Sequence, residues 1–331
     1  FSPDGKTLIY STYLGGKRNE LPHSLIVDSQ NNLVLFGTTG SNNFPATNGA
    51  YDKTFNGGND VGDISNIPFY EGSDIVGAKF APEGDLLAAT YIGGSDNDGL
   101  NIDKNLTYNY PDEARGEVFL DANDQIIIAS CTWSNDFPVT SGAYQTKHGG
   151  SQDGVLIKIK PDLSALVFAT YLGGSSADAA YGVKLDLEGN ILTAGGTRSS
   201  NFPTTAGVIN SSYGGKIDGF LSKISADGKK LMASTYLGTN DYDQAYFVEI
   251  DDAHEFVYTV GQTSGNYPVT SGVYSNSGSG QYIHKLTLDL TKTEFSTVFG
   301  NGNGEPNISP TAFLIDICNR IYVSGWGADS P

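Results

Sequence analysis

The sequence is poor in several residue types, and each shortage excludes a class of protein. Two cysteines, Cys131 and Cys318, are too few for a disulfide scaffold, so we expect two unpaired, partly buried thiols. Basic residues number 19 against 37 acidic ones, which gives a formal charge of −18. Nucleic acid requires a basic surface, so a nucleic-acid partner is not expected. No apolar run approaches the roughly 20 residues that span a bilayer, so direct membrane insertion is not expected either.

The abundant residues point to an all-β protein. Glycine occurs 42 times, tyrosine 19 times and phenylalanine 16 times, while methionine occurs once and charged residues make up 17%. This composition is typical of many short strands joined by glycine-containing turns. It does not suit helices, which favour Ala, Leu, Glu and Lys.

Four sequence marks recur and define an internal repeat. Two of them are Thr-Tyr-Leu-Gly-Gly, as at 12–16 and 170–174, and Asn-Phe-Pro, as at 43–45 and 201–203. The others are an aspartate after an apolar residue (Asp28, Asp121, Asp186, Asp251, Asp316) and a lysine between apolar residues (Lys79, Lys158, Lys223, Lys285). The aspartates are spaced by 93, 65, 65 and 65 residues, so the unit is about 65 residues long.

Four short strand-like runs lie between these marks in each repeat. They are rich in β-branched and aromatic residues, and tight turns such as 186–190 and 226–229 join them in pairs. Neighbouring runs are therefore antiparallel, and such units stacked radially make the blades of a β-propeller. A β-solenoid is the rival interpretation, but its coils are usually shorter and lack alternating hairpins. We predict an all-β propeller of four-stranded antiparallel blades.

These residues resemble the SBBP β-propeller repeat. The resemblance rests on Tyr-Ser-Thr-Tyr-Leu-Gly-Gly at 10–16, on Asn-Phe-Pro-x-Thr-x-Gly at 43–49 and 201–207, and on the Gly-Gly…Asp approach to the lysine-bearing run. In similar propellers the run that ends at the aspartate lines the central channel. The implied blades span about 17–91, 92–172, 173–237, 238–299 and a partial 300–331, with run 1–16 as the outer strand of another blade. The chain is then a fragment with at least five blades represented, and six to eight are expected in the full domain.

The final stretch, 307–327, is similar to large surface proteins of Bacteroidetes. Such proteins are associated with gliding motility and leave the cell through the type IX secretion system. The resemblance implies a protein that is secreted or held at the cell surface. Its expected partners are the secretion machinery and other surface proteins or glycans.

Two acidic insertions account for the long first spacing, and they lie near 53–73 and 95–112. Because both join strands at the same end of the sheet, we expect them to meet on one face of adjacent blades. Loops on a rigid scaffold often carry binding, and carboxylates beside aromatic rings suit a carbohydrate, a cation or a protein partner. The candidate binding residues are Asp60, Asp63, Phe69, Tyr70, Tyr108 and Tyr110.

One stretch of the second insertion has the spacing of a calcium loop. Asp96, Asp98, Asn101 and Asp103 place oxygen ligands around a glycine, and calcium takes six to eight oxygens. The glutamate that ends an EF-hand loop is missing, because Thr107 stands there. A solvated acidic loop is the alternative. No other cofactor is expected.

The recurring aspartates and lysines are interpreted as structural. An active site is normally single, so a residue that recurs in every repeat is expected to cap a turn rather than to catalyse. The lysines alternate with apolar residues and are expected to lie along a blade face. The four histidines show no zinc-binding spacing.

Two functions remain open. We favour a non-catalytic module that acts as an adhesion or protein-interaction platform, and hence no enzyme activity. The alternative is a glycan-active hydrolase or lyase, or a lectin, that uses the inserted loops. A glycosidase needs two carboxylates about 5–10 Å apart across a cleft. Convergence of the inserted acids beside Tyr108 or Tyr110 would therefore favour the enzyme.

Overall fold

The computed structural model describes residues 1–64, 66–109 and 112–327, and within these ranges the chain is all-β. Twenty strands are interrupted by a single turn of 3-10 helix at Asp112–Ala114. No helix of the described residues is long and apolar enough to cross a membrane.

Four antiparallel four-stranded sheets follow one another along the chain, each with its strands in sequence order. The first sheet contains β1 (Glu20–Val27), β2 (Leu33–Thr39), β5 (Asp74–Phe80) and β6 (Leu86–Ile92); β3 (Asp63–Ile64) and β4 (Ile67–Pro68) form a small separate ribbon. The second contains β7 (Glu117–Leu120), β8 (Ile126–Thr132), β9 (Asp153–Ile159) and β10 (Leu166–Leu172). The third contains β11 (Asp178–Leu185), β12 (Ile191–Thr197), β13 (Asp218–Ile224) and β14 (Leu231–Leu237). The fourth contains β15 (Asp243–Ile250), β16 (Phe256–Thr263), β17 (Gln281–Thr287) and β18 (Thr293–Phe299).

A two-stranded sheet, β19 (Ile308–Ile315) and β20 (Ile321–Gly327), follows the fourth sheet. The prediction of four-stranded antiparallel units is therefore confirmed, and the fold is propeller-like. Apolar side chains fill the space between consecutive sheets. Between the first and second sheets, for example, Phe36 and Ile75 pack with Ile128 and Ile157, all at most 1% exposed. Burial of such side chains is the main force that holds one sheet against the next.

The turn between the first two strands of each sheet is capped as predicted. Asp28 Oδ1 accepts hydrogen bonds from the backbone N–H groups of Gln30 (2.9 Å) and Asn32 (2.8 Å). Asp121 and Asp186 cap their own turns in the same way.

The sequence predicts that the recurring lysines lie along a blade face. In the structure three of them form ion pairs with the recurring aspartates. Lys79 Nζ lies 2.7 Å from Asp28 Oδ2, and the pairs Lys158–Asp121 (2.8 Å) and Lys223–Asp186 (2.7 Å) repeat the contact. Both side chains of each pair are nearly buried. Because the aspartate lies in the first turn of a sheet and the lysine in its third strand, each ion pair links these two elements. Two of the four repeat marks are thus the two partners of one interaction.

The tyrosine of the Thr-Tyr-Leu-Gly-Gly mark bonds to the loop that carries the Asn-Phe-Pro mark. Tyr91 Oη donates to Ser41 O (2.8 Å) and accepts from Phe44 N (2.8 Å). Tyr171 and Tyr236 make the same donation in their own sheets. Tyr13 occupies the corresponding place in run 1–16 but is fully exposed, and residues 1–19 contain no strand. The assignment of run 1–16 to another blade stays a prediction.

Both cysteines are free thiols, and they differ in burial. Cys131 is buried in β8, whereas Cys318 is exposed in the turn before β20 rather than partly buried as expected. Burial raises the pKa of the Cys131 thiol far above its usual range, with a further contribution from Asp98. Cys131 is therefore a neutral core side chain.

Candidate functional site

The first insertion folds over the end of the first sheet on its own small core. Phe69, 1% exposed, packs with Ile64 and with Leu100 of the second insertion. Phe69 therefore anchors the loop and is not available at the surface. Asp60 and Asp63 are exposed, and Tyr70 is 58% exposed. Three of the four binding candidates of this loop therefore face solvent.

The two insertions contact each other, as the repeat geometry predicts. Asn97 Nδ2 donates to Asn59 O (3.2 Å), and Asn59 Nδ2 lies 3.4 Å from Asp96 Oδ1. Deeper in the structure, Asp98 N donates to Ser73 O (2.8 Å), and Ser73 Oγ returns a hydrogen bond to Asp98 O (3.0 Å). The inserted segments of the first and second sheets thus form one continuous surface.

The side chains of the four residues with calcium spacing are each bonded to protein partners. Asp98 is fully buried and accepts hydrogen bonds from Thr132 Oγ1, Ser134 Oγ and Gly94 N. Asn101 is also buried, with its Oδ1 bonded to Gln152 Nε2 (2.9 Å). Asp103 Oδ2 pairs with Arg198 Nη1 (2.9 Å), and Asp96 bonds to Asn59 and Asn97.

Among the described residues, no group of three or more histidine, cysteine, aspartate or glutamate side chains could hold a metal ion. Calcium binding stays a prediction from the sequence spacing.

Beyond Asp98, the second insertion lies against the first strands of the third and fourth sheets, and we call the space between the first strands of the sheets the channel. Leu106 is fully buried, and its carbonyl oxygen accepts from Gln244 Nε2 of β15 (3.1 Å). Asn109 Nδ2 donates to Tyr246 Oη (2.9 Å) and to Gln262 Oε1 of β16 (2.8 Å). We call residues 99–109 and 112–115 the cross-brace because they connect the second, third and fourth sheets.

The cross-brace ends in a buried ion pair. Arg115 Nε donates to Asp112 Oδ1 (2.5 Å), and Arg115 Nη2 donates to Pro310 O of β19 (3.1 Å). The guanidinium also lies over the Tyr246 ring, 4.1 Å from its centroid. Asp112 in turn accepts from Tyr108 N and Asn109 N. The cross-brace thereby also reaches β19.

Tyr108 stands at the outer surface of the cross-brace. It is 46% exposed and lies against Tyr242, with ring centroids 4.7 Å apart. Burial raises the pKa of Tyr108, and the nearby Glu305 carboxylate adds to that effect. Tyr110 lies outside the described residues.

A cavity of about 330 Å³ lies in the channel below the cross-brace, a size within the range of small-molecule sites. The first strands of four sheets carry a register shift at His23, Tyr181, Tyr246 and Thr311, and all four residues line this cavity. Bulges of this kind re-aim a side chain. Burial lowers the pKa of His23 to about 3, so its ring is neutral.

A chain of charges crosses the channel wall next to the cavity. Lys184 Nζ lies 3.0 Å from Glu117 Oε1 and 3.4 Å from Glu249 Oε1. Burial raises the pKa of Glu249 to about 7, although Lys184 opposes that rise. Glu117 lines the cavity, so a lysine with two carboxylates lies beside an accessible space.

The sequence reasoning did not identify the residues that build the channel. His23, Arg115, Glu117, Lys184 and Glu249 occur once each rather than in every repeat. One feature of the sequence could have indicated these residues. A charged side chain in a run that is expected to line a channel departs from the apolar pattern of such runs. None of Asp60, Asp63, Asp96, Asp98 and Asp103 lines the cavity.

No protein-family model matches the chain, and no curated protein matches it. Similar solved structures include the NanB sialidase of Streptococcus pneumoniae, at 10% identity and a TM-score of 0.48, covering 97% of this chain and 54% of that one. The periplasmic gluconolactonase PpgL of Pseudomonas aeruginosa is 8% identical, with a TM-score of 0.43 and coverage of 92% and 65%. A protein of unknown function from Dyadobacter fermentans is 12% identical, with a TM-score of 0.43 and coverage of 89% and 69%. The chain thus spans about half to two thirds of these proteins, and likeness at this level does not indicate what it binds or does.

Proposed function

We propose that the protein is a non-catalytic binding module of a large exported surface protein, within a propeller of six to eight blades. The inserted face of the first and second sheets is its contact surface. The SBBP-like repeat and the similarity of 307–327 to type IX-secreted, gliding-associated surface proteins support the location. Partners would be surface proteins or glycans.

One observation supports the non-catalytic role: the acids of the second insertion are used inside the structure. Asp98 and Asp112 are fully buried, and Asp103 is paired with Arg198. A hydrolase with a site on this face would need two carboxylates free to act on a substrate. The acids of this insertion instead fix the loop.

The part of the inserted face left for contact is acidic and aromatic. Asp60, Asp63, Tyr70 and Tyr108 are exposed on loops whose bases are held by buried contacts. Exposed tyrosines supply apolar area together with a polar end, which suits proteins and sugars. The carboxylates favour a neutral or basic partner over an acidic one.

Binding of labelled protein to a glycan array and to intact bacterial cells tests this proposal. We expect Asp60→Asn/Asp63→Asn/Tyr70→Ala/Tyr108→Ala to lose at least about tenfold in affinity for whatever the wild type binds. The control is Asp162→Asn/Asp227→Asn/Tyr274→Ala, which alters exposed residues outside the two insertions. Equal loss in both variants, or no loss in the first, would count against the inserted face.

A glycan-active enzyme is the second candidate, and the channel favours it rather than the inserted loops. Glycosidases pair a protonated carboxyl with an ionised one. Glu249, whose pKa is raised to about 7, and Glu117 flank Lys184 beside the cavity. Lys184 occupies the place between them, which is why we rank this function second. Hydrolysis of a panel of glycosides tests this candidate. It would become the first candidate if Glu117→Gln and Glu249→Gln each abolished hydrolysis by the protein while leaving the melting temperature unchanged.

A further inference from the structure

Buried carboxyl groups lie in pairs where one sheet meets the next, beside a glycine of the repeat. A methyl group placed on Gly173 would lie 2.5 Å from Asp153 Oδ1 and 2.9 Å from Asp178 Oδ2. Asp153 begins β9 of the second sheet, and Asp178 begins β11 of the third. The arrangement recurs with Asp74 and Asp98 beside Gly93, and with Asp218 beside Gly238 and its neighbour Asp243.

The protein environment opposes charge on these groups. All six carboxyl groups have no exposed surface. Burial raises the pKa of Asp74, Asp178 and Asp218 to about 7 and that of Asp243 to about 6. The partner carboxyl contributes as well, since Asp153 raises the pKa of Asp178 and Asp243 raises that of Asp218. Two ionised carboxylates so close together in a buried site repel each other.

Three oxygens in two of these pairs lack a donor. Asp153 Oδ2 accepts from Gly149 N (2.7 Å), and Asp218 Oδ2 accepts from Gly214 N (2.7 Å). Within the described ranges, Asp153 Oδ1, Asp218 Oδ1 and Asp243 Oδ1 are buried and have no hydrogen-bond partner. Asp153 Oδ1 is also the oxygen nearest to Gly173, where Asp178 Oδ2 lies. A buried acceptor without a donor is costly, and a proton on one carboxyl would provide the donor.

The fourth junction shows the same place filled by two amides. Gln281 begins β17 where the other sheets have aspartate, and Asn307 precedes β19; both flank Gly300. With its amide oriented to satisfy its neighbours, Gln281 Nε2 donates to Asn307 Oδ1 (2.9 Å) and Gln281 Oε1 accepts from Asn307 N (2.7 Å). An N–H donor therefore bridges the two sheets where a carboxyl O–H would stand at the other junctions.

We propose that the two pairs Asp153–Asp178 and Asp218–Asp243 each retain one proton at neutral pH, and that this proton bridges adjacent sheets as the Gln281 amide does at the fourth junction. The junctions are therefore strongest in mildly acidic solution. Above neutral pH the second proton is lost and the two carboxylates repel across each interface.

The charged groups around the pairs do not neutralise them. No lysine or arginine of the described residues forms a salt bridge with any of the six aspartates. Asp52 faces Asp74 and Asp241 faces Asp243, and both disfavour ionisation of their neighbour. His148 near Asp153 favours the ionised form, as do hydrogen bonds to the pairs from backbone N–H groups and from the Thr197 and Ser199 hydroxyls, but burial outweighs them. Cys131 faces Asp98 as a neutral thiol.

The direction of the pH dependence follows from the raised pKa values. A carboxyl whose pKa is higher in the folded state binds more protons there than in the unfolded chain. Its stabilising contribution is complete below about pH 4, the unfolded pKa, and is lost as the pH rises through about 7.

Thermal melts of the whole chain from pH 5 to 8.5 test the proposal, with Asp153→Asn/Asp218→Asn as the variant. In each substitution the new Nδ2 can replace the unpartnered oxygen and donate to the facing carboxylate. We expect the wild-type melting temperature to fall by at least about 3 °C between pH 6 and 8. The variant should lose most of that fall and melt above the wild type at pH 8. The remainder would come from other groups with a raised pKa, such as Glu249.

The control Asp162→Asn/Asp227→Asn changes exposed turn acids and should keep the wild-type pH profile. Carboxyl ¹³C chemical shifts of the wild type, titrated over the same range, decide the question if the variant does not fold. At least two aspartate signals should titrate near pH 7. The proposal would be overturned if the melting temperature of the variant fell with pH as much as that of the wild type, or if no aspartate signal titrated near pH 7. A rise in wild-type melting temperature with millimolar calcium at pH 8 that Asp153→Asn/Asp218→Asn abolishes would also overturn it, by assigning the pairs to a cation.

Discussion

Arg115 and Asp112 form an ion pair inside the channel mouth, with Arg115 Nε 2.5 Å from Asp112 Oδ1 and both side chains almost completely buried. The pair connects an inserted segment of the second sheet to Tyr246 of the fourth sheet and to Pro310 of β19. An acidic insertion that would otherwise be a solvated loop therefore becomes part of the core.

Removal of the arginine from this pair should be strongly destabilising. Arg115→Ala leaves Asp112 buried without its counter-ion, which costs about 3–5 kcal/mol in comparable cases. Urea unfolding followed by tryptophan fluorescence measures the free energy of unfolding. Arg115→Met/Asp112→Asn removes both charges and should recover most of the loss. If Arg115→Ala unfolds within about 1 kcal/mol of the wild type, the pair does not hold the cross-brace.

The recurring lysines provide a matched control for the ion pair, because Lys285 is not paired with an aspartate among the described residues. Lys223 lies 2.7 Å from Asp186, with both side chains nearly buried, so Lys223→Met should cost about 3 kcal/mol. Lys285 occupies the same place in the fourth sheet but lies over the Phe256 ring, 3.9 Å from its centroid. It forms no salt bridge among the described residues, and Lys285→Met should cost less than about 1 kcal/mol. Equal losses in the two variants would show that the ion pair is not what stabilises the sheet.

The tyrosine of the repeat can be tested by removing one oxygen. Tyr236→Phe deletes the donor to Ser199 O and leaves that buried carbonyl without this bond, which should cost about 1–3 kcal/mol. Tyr13→Phe is the matched control, since Tyr13 is fully exposed, and should change the free energy of unfolding by less than about 0.5 kcal/mol. Chemical denaturation of both variants gives the comparison. A larger loss in Tyr13→Phe would mean that run 1–16 is packed in solution.

The protein should lose stability at acidic pH because the turn aspartates become protonated. Burial alone would raise the pKa of Asp28, but Lys79 and the hydrogen bonds from Asn32 and Gln30 lower it to about 2. The same kinds of partner, led by Lys158 and Lys223, lower the pKa values of Asp121 and Asp186. Their contributions are complete above about pH 4 and are lost as the pH falls toward 2. Melting temperatures measured from pH 5 to 2 should drop, and Lys223→Met should make the drop shallower; an unchanged slope would contradict this origin.

Much of the fold could be predicted because it follows from local chemistry repeated along the chain. Turn residues placed the hairpins, and a residue such as Asp28 caps amides only two and four positions away. The Lys–Asp pairing could have been derived too. Asp121 to Lys158 and Asp186 to Lys223 are both 37 residues apart, and Asp28 to Lys79 is 51 because the first insertion lies between them.

The path of the cross-brace could not be predicted, because distant residues determine it. Asn109 bonds to Gln262 and Asp112 to Tyr246, partners 153 and 134 positions away. No local pattern distinguishes an acidic loop that enters a channel from one that stays in solvent. The same limit applies to Asp98, which the calcium-like spacing marked and whose partners in the structure are Thr132 and Ser134.

The central claim is that the second insertion is a rigid part of the core whose acids serve structure, while the first insertion presents exposed acids for contact. Amide hydrogen exchange measures this most directly. The amides of Asn101, Leu106, Tyr108 and Asn109 are each hydrogen-bonded within the cross-brace and should exchange nearly as slowly as those of β12. The amides of Asn59 and Asp60, which make no hydrogen bond among the described residues, should exchange fast. Fast exchange throughout 99–109, with β12 still protected, would contradict the account.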